Sequence, residues 1–184
     1  MASTACPHIQ FRTNPRKALE AVLWFANKQG QVDFHSICKA LFGADVFHVN
    51  RYGRPVVGDT YYALPYGPVP QTTYDILKRE PLALEELGLT DLPFEVSGYT
   101  VRPLRPADVS VFSRSDLEAL EEGWTHYGAL GFGARMAKSH QHPAWVSAVE
   151  AGRQSMNYAD FLEGANQDAE TLADLAEVAA DLRM

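Results

Sequence analysis

Six histidines, two cysteines and a few paired carboxylates are the side chains best suited to chemistry, and their spacing decides what they can do. Only His140-Gln141-His142 brings two imidazoles close together. Residues at i and i+2 meet one metal ion only on a strand or turn, and no Cys, Asp or Glu cluster accompanies this pair. It reads instead as a cap on the preceding helix end, where a cationic imidazole suits the negative end of the dipole. Glu85-Glu86 and Glu121-Glu122 are adjacent, so on a helix they point in different directions and form no two-carboxylate site. Cys6 and Cys38 make neither a CxxC pair nor a metal spacing. Cys38 lies among apolar positions of a predicted helix, as a small buried hydrophobe, with His35 three residues before it. Asp59 follows Gly58 and reads either as a turn-forming side chain bonded to nearby amides or as a binding group. Phosphate-loop, dinucleotide, zinc-protease and nucleophile-elbow motifs do not occur. The expectation is a protein that is not an enzyme, with no catalytic residue, no metal and no cofactor. A dispersed hydrolase or transferase site using His126, His140 or Asp59 is the enzymatic alternative.

A different signal sits at residues 51–77, RYGRPVVGDTYYALPYGPVPQTTYDIL. Gly53, Pro55 and Gly58 read as turn residues, and Thr60–Leu64 has the aromatic and β-branched character of a strand. Tyr66-Gly67-Pro68-Val69-Pro70 should stop that strand and open a helix, since proline is pre-organised for a first helical turn. Aromatics, glycines and prolines are denser here than a connector needs, which suits a shaped binding element. Tyr61 and Tyr62 face opposite sides of a strand, so one is core and the other is exposed or at a partner. Tyrosine and arginine are favoured at interfaces. Arg51, Tyr52, Arg54, Asp59, Tyr61, Tyr66 and Tyr74 are therefore the candidate partner-binding residues.

The elements that must position this block are mostly helical. Asn14 and Pro15 start a first helix, closed by Gly30, with Leu19, Val22, Phe25 and Ala26 turned to the core. Asp33 caps a second helix that ends at Gly43, and Asp45 caps a short third one through Arg51. Further helices are expected at 70–78, at Pro81–Leu87 before Gly88, from a Ser115/Glu118 capping box to about Tyr127, at 134–139 and from Pro143. Phe94–Leu104 reads as strand around Gly98 that can pair with Thr60–Leu64. Asn157 caps a short turn, Gly164-Ala165-Asn166 reads as a linker, and residues 168–182 form an acidic amphipathic helix with Leu172, Leu175, Ala176, Ala179 and Leu182 on one face. Residues 1–13 are a lead or a short strand. The fold class is α+β: a mainly helical single domain over residues 1–164 with a small antiparallel β-sheet or hairpin, then the C-terminal helix over 165–184.

At 184 residues with 46% hydrophobic and 21% charged content, the chain is an ordinary globular domain. It has no apolar run of membrane-spanning length, MASTACPHIQFRTNPRK does not read as a secretory signal, and reduced cysteines suit the cytoplasm. The net charge of −7 argues against nucleic acid as the main partner, including an operator bound for autoregulation, and allows a basic protein partner.

LWFANKQG in the first helix, YGRPVVGDTYYALPYGPVPQTTYDIL, SRSDLEALEEGWTHYGAL, HQHPAW and NYADFL follow one another from Ala18 to Leu162. In order and spacing this pattern resembles the Panacea domain, the SocA-like antitoxin domain. HQHPAW departs from it, because related proteins carry a more acidic stretch there. The tail after Gly164 maps to no part of the pattern. The resemblance implies a helical fold with a small antiparallel sheet. It also implies the antitoxin of a bacterial or prophage toxin–antitoxin pair, whose partner is a protein toxin from the adjacent gene. Neutralisation would follow from direct binding or, alternatively, from acting as a proteolytic adaptor that hands the toxin to a Clp-type protease such as ClpXP. The tail is then either a second surface for the protease or a helix that packs on the core or forms a homodimer contact.

Overall fold

A computed structural model describes residues 7–182 of the chain. Eight α-helices are present among them: α1 Pro15–Ala26, α2 Phe34–Tyr52, α3 Gln71–Leu77, α4 Pro81–Leu87, α5 Arg114–Gly123, α6 Phe132–His140, α7 Pro143–Glu150 and α8 Ala169–Asp181. Five short strands accompany them: β1 Val32–Asp33, β2 Tyr61–Leu64, β3 Gly67–Pro70, β4 Phe94–Ser97 and β5 Thr100–Pro103. They form an antiparallel sheet in the order β1-β5-β4 and a separate β2-β3 hairpin. The α+β class expected from sequence is the one observed. No helix among the described residues is long and apolar enough to cross a membrane.

Helix α2 organises the molecule. It runs unbroken for 19 residues and is buried on every side along most of its length, as a helix surrounded by others must be. Gly43 was expected to end a helix, and Asp45 to start another; neither does so. A Cβ at Gly43 would fall 2.4 Å from the Tyr127 ring, and one at Gly123 would fall 2.1 Å from the Ala40 carbonyl oxygen. These glycines let α5 and the π-helical turn Trp124–Gly128 lie directly against α2. The propensity deficit of an internal glycine, about 1 kcal/mol, is outweighed by that contact. Gly53, with φ of 72°, ends α2 instead.

One apolar core lies between α1, α2, α3, α5 and the three-stranded sheet, around Phe25, Ile37, Leu41, Ile76, Phe94 and Val101. A second lies on the other side of α2, around Phe42, Tyr61, Met156, Tyr158, Phe161 and Leu175.

Local capping differs from expectation at several points. Helix α1 begins as read, with Asn14 Oδ1 accepting from the Lys17 amide at 3.0 Å, but ends at Ala26, short of Gly30. The capping box of α5 is Ser113 with Asp116, two residues before the expected one. The earlier register wins because Asp116 also receives Lys17 Nζ at 2.8 Å in the interior. His142 Nδ1 accepts from the Ala144 amide at 3.2 Å, so it caps the start of α7 instead of closing α6. His140 does end α6, where its ring stacks on Trp145 at 4.1 Å and burial lowers its pKa. Phe94–Leu104 pairs with itself across Gly98 and with β1, not with β2. Both edges of β2 are already taken, one by β3 and the other by bonds to Gln154 and Met156. Gly67–Pro70 is the return strand of the hairpin, and the helix expected from about Pro70 follows it directly as α3, with Pro70 at its N-cap.

The supposed linker is a 3-10 turn, Gly164–Gln167, tied down by Asn166 Nδ2 donating to the Asn50 carbonyl at 2.9 Å. Asp168 caps α8, and Leu175 is buried in the second core. Residues 7–13 form no strand, although Ile9 and Phe11 are buried. Cys6 and residues 1–5 of the expected lead lie outside the described residues, and so does the end of the tail, Arg183 and Met184.

Candidate functional site

The glycine-, proline- and aromatic-rich block contributes to three places, and α2 connects them. In the interior, Asp45 on α2 accepts from the amides of Val56 and Val57 at 2.7 and 3.2 Å and from Tyr61 Oη at 2.9 Å. Asp59 accepts from the amides of Thr72 and Thr73 at 2.9 and 2.8 Å and from Thr73 Oγ1 at 2.7 Å, which caps α3. Tyr158 Oη closes the group by donating to the Asp59 carbonyl at 2.7 Å. Burial pushes the Asp45 carboxyl up to about 7, although the bonds from Tyr61 and the two amides favour its charged form. Burial also raises Asp59, against the bonds from Thr73 and Thr72. A closed hub like this fixes the chain's path, because buried polar groups persist only when partnered.

The C-terminal end of α2 holds Arg51, Tyr52 and Arg54. Tyr52 Oη donates to Glu118 at 2.6 Å, and Arg51 is exposed with Nε 3.9 Å from Glu118. Arg54 Nη2 lies 2.9 Å from Asp116 Oδ1. His48 is fully buried beside them, with Nε2 3.0 Å from Ser115 Oγ and 3.3 Å from Asp116 Oδ1, and Nδ1 2.6 Å from the Arg54 carbonyl. Serine, histidine and aspartate thus meet, but serine and aspartate share one imidazole nitrogen. A catalytic triad needs them on opposite nitrogens, so this cluster is a packed node. Burial lowers His48. Burial would raise Asp116, yet the Lys17 ammonium and the Ser113 amide hold it below the usual carboxylate range.

The N-terminal end of α2 is different. Here the β2-β3 turn, the β4-β5 turn and α6 enclose a cavity of about 640 Å³. Tyr66, Tyr99 and Phe132 stand on its rim, 64%, 73% and 50% exposed, and Tyr74 and Val69 line its wall. Four polar groups reach it. Lys39 is buried, and its ammonium donates to the Pro68 carbonyl at 2.9 Å. Burial pulls Lys39 down to about 8, so it remains charged at neutral pH. Arg135 is buried and touches Asp33 Oδ2 at 3.3 Å. Burial and the neighbouring Lys39 charge push His35 down to about 4, leaving it neutral. Its Nε2 lies 3.1 Å from the Tyr66 carbonyl, so Nε2 carries the hydrogen and Nδ1 is an acceptor. Gly67, at φ of 95°, is needed because a Cβ there would sit 2.8 Å from Lys39 Cε. Cys38 also lines the cavity, but burial pushes its thiol up to about 12, far from thiolate chemistry.

The candidate residues are therefore split. Tyr66 and Tyr74 belong to the cavity; Arg51, Tyr52 and Arg54 lie at the far end of α2, about 27 Å away at 1.5 Å per residue. Asp59 and Tyr61 are interior and spend their polar atoms on the hub. Lys39, Arg135, His35, Tyr99 and Phe132 were not anticipated. Lys39 carried a signal, a lone charge inside the apolar run Ile37–Phe42. Arg135 carried none, since it reaches Asp33 from 102 residues away. Among the described residues, no group of three or more His, Cys, Asp or Glu is arranged to hold a metal ion.

Comparison with known proteins adds one result. A family model described as antitoxin SocA-like, Panacea domain, matches residues 37–146, from inside α2 to inside α7. No curated protein and no solved structure gives a match. The match covers Asp45, Asp59 and Tyr61 of the hub, Lys39, Tyr66, Tyr74, Phe132 and Arg135 of the cavity and the α2–α5 contact, and leaves out Tyr158, Asp33, His35, α1 and α8. It spans more than half of the chain, and the protein belongs to the SocA-like antitoxin family, with a Panacea domain at its centre.

Proposed function

We propose that this chain neutralises a protein toxin by binding it directly, and that the toxin docks on the aromatic rim at the N-terminal end of α2. The observation that carries the reading is the trio Tyr66, Tyr99 and Phe132, exposed around a cavity in a protein whose other large aromatics are mostly packed inside. Aromatic anchors around a concave apolar centre are the pattern of an interface hot spot. The family supports an antitoxin role in general; the docking face is our reading of the geometry. We take the binding unit to run to Gly164, with α8 as an added acidic helix.

The test is co-expression with the neighbouring open reading frame, scored for growth rescue and co-purification. Wild-type protein should rescue growth and form a stable complex, and Phe132→Ala should weaken both. A toxic neighbour whose complex is indifferent to all three rim residues would sink this docking face. Delivery to a Clp-type protease is the second reading, drawn from the outer side of α8, where Glu170, Asp174, Glu177 and Asp181 are exposed. Reversing those charges would abolish toxin turnover while sparing binding if that surface meets the protease.

A further inference from the structure

The floor of the cavity carries the opposite charge balance from the whole protein. The chain has a net charge of −7, yet two buried cations, Lys39 and Arg135, line this space with a single carboxylate, Asp33. Asp33 is half committed elsewhere, because it caps α2 through the Ser36 amide at 2.8 Å and accepts from Ser36 Oγ at 2.8 Å. Lys39 meets a carbonyl and, among the described residues, no carboxylate. Two buried nitrogens, Arg135 Nε and His35 Nδ1, have no hydrogen-bond partner among the described residues. Buried cations without a full counter-charge, and buried polar atoms without a partner, are unfavourable unless something completes them.

We infer that the cavity is a recognition site for an acidic side chain presented beside an aromatic or large aliphatic one on a peptide segment of the protein partner. Each part of that description answers a group that lines the cavity. The carboxylate answers Lys39 and Arg135, since hydrogen bonds between ions are roughly twice as strong as neutral ones. The apolar neighbour answers Phe132, Tyr66 and the aromatic wall. A peptide N–H answers the bare acceptor at His35 Nδ1, which a simple organic acid would leave without a donor. A volume of about 640 Å³ is within the range of sites that hold ligands of this size. This inference rests on the reading that a protein toxin docks at this rim.

The test uses the intact chain at pH 7 and two N-acetylated dipeptide amides, Phe-Asp and its uncharged isostere Phe-Asn, titrated by NMR. The aspartyl peptide should bind about tenfold more tightly, as loss of one charge-assisted bond implies. That preference should fall below about twofold in Arg135→Gln, whereas Phe132→Ala should weaken both peptides alike. The wild-type comparison holds even if a buried variant fails to fold. Selective binding together with displacement of the toxin supports the inference. Selective binding that leaves the toxin complex intact overturns the peptide-segment occupant and leaves the antitoxin reading standing on another surface. Equal binding of both peptides, or binding of neither, overturns the site itself, and toxin rescue measured separately shows whether the antitoxin reading survives.

Discussion

The sealed hub around Asp45 and the open cavity around Lys39 are built from neighbouring turns of α2 and from one hairpin, yet they treat polar groups in opposite ways. In the hub, Val56, Val57, Tyr61, Thr72 and Thr73 converge on two carboxylates, Tyr158 donates to the Asp59 carbonyl, and each of those contacts is internal. In the cavity, Lys39 and Arg135 are as deeply buried but their surroundings are incomplete. The difference separates two uses of buried charge. Completed networks specify one backbone path, while incomplete ones at a surface opening leave a preference for what comes next. Gly67 and Pro68 take part in the second, and Gly58 and Asp59 in the first, so one distinctive stretch of sequence serves both.

The comparison breaks most visibly at Asp45. Asp45→Ala would strand the Val56 and Val57 amides and the Tyr61 hydroxyl in the interior. Each unsatisfied group costs about 1–3 kcal/mol, so the loss should be about 3–5 kcal/mol, read from urea unfolding. A loss below about 1 kcal/mol would mean that the hub does not hold the block together. Next in size is the rim. Phe132→Ala should leave the unfolding midpoint nearly unchanged, because the ring is half exposed, and should weaken the toxin complex by about 2 kcal/mol. The reverse pattern, large on stability and nil on affinity, would make the rim part of the fold.

The same carboxyl distinguishes the hub by pH. The Asp45 carboxyl titrates at about 7 in the folded protein against 3.8 for the ordinary group. A raised folded-state value gives stability that is fully present below about pH 4 and is lost as pH rises through 7. Asp45→Asn keeps an acceptor but cannot titrate. Measured relative to wild type, the variant should therefore gain stability between pH 4 and 7, by about 1 kcal/mol per pH unit, and stay level above. The difference cancels titrations the two proteins share. A flat difference across that range would show Asp45 ionised throughout.

What was legible in the sequence follows from range. Asn14-Pro15, Gly88, Pro143 and Asn157 mark ends through bonds made within a few residues, and each marks an end as read or within a residue of it. Gly43 misled because its reason is a ring supplied by Tyr127, far along the chain. Phe94–Leu104 misled because the free edge it was given, on β2, is occupied by residues near 155. The cavity was half legible: Tyr66 and Tyr74 stood out by composition, but Lys39 and Arg135 matter only once α2 and α6 are packed together. Tyrosine type alone does not separate Tyr61 from Tyr66. The hairpin turn does, by placing one over Asp45 and the other over open space.

The smallest predicted effect is at the other end of α2, and it sharpens the comparison by being small. Arg51 and Tyr52 have the residue types of an interface and are exposed there. Their contacts with Glu118 are surface contacts, which contribute about 0.5 kcal/mol or less. Beneath them, the His48–Asp116 node is packed and ion-paired by Lys17 and Arg54, with no cavity comparable to that at Lys39. Tyr52 lines a hollow of about 220 Å³ there, against about 640 Å³ at the other end, so it has less room to admit a partner's anchor, and exposure alone does not make it a hot spot. Tyr52→Ala should accordingly change toxin affinity by less than about 0.5 kcal/mol while Tyr66→Ala changes it several-fold more, both read by calorimetric titration of the same complex. If Tyr52→Ala is the more damaging of the two, the toxin sits at the C-terminal end of α2, and the open cavity at the other end serves some other molecule.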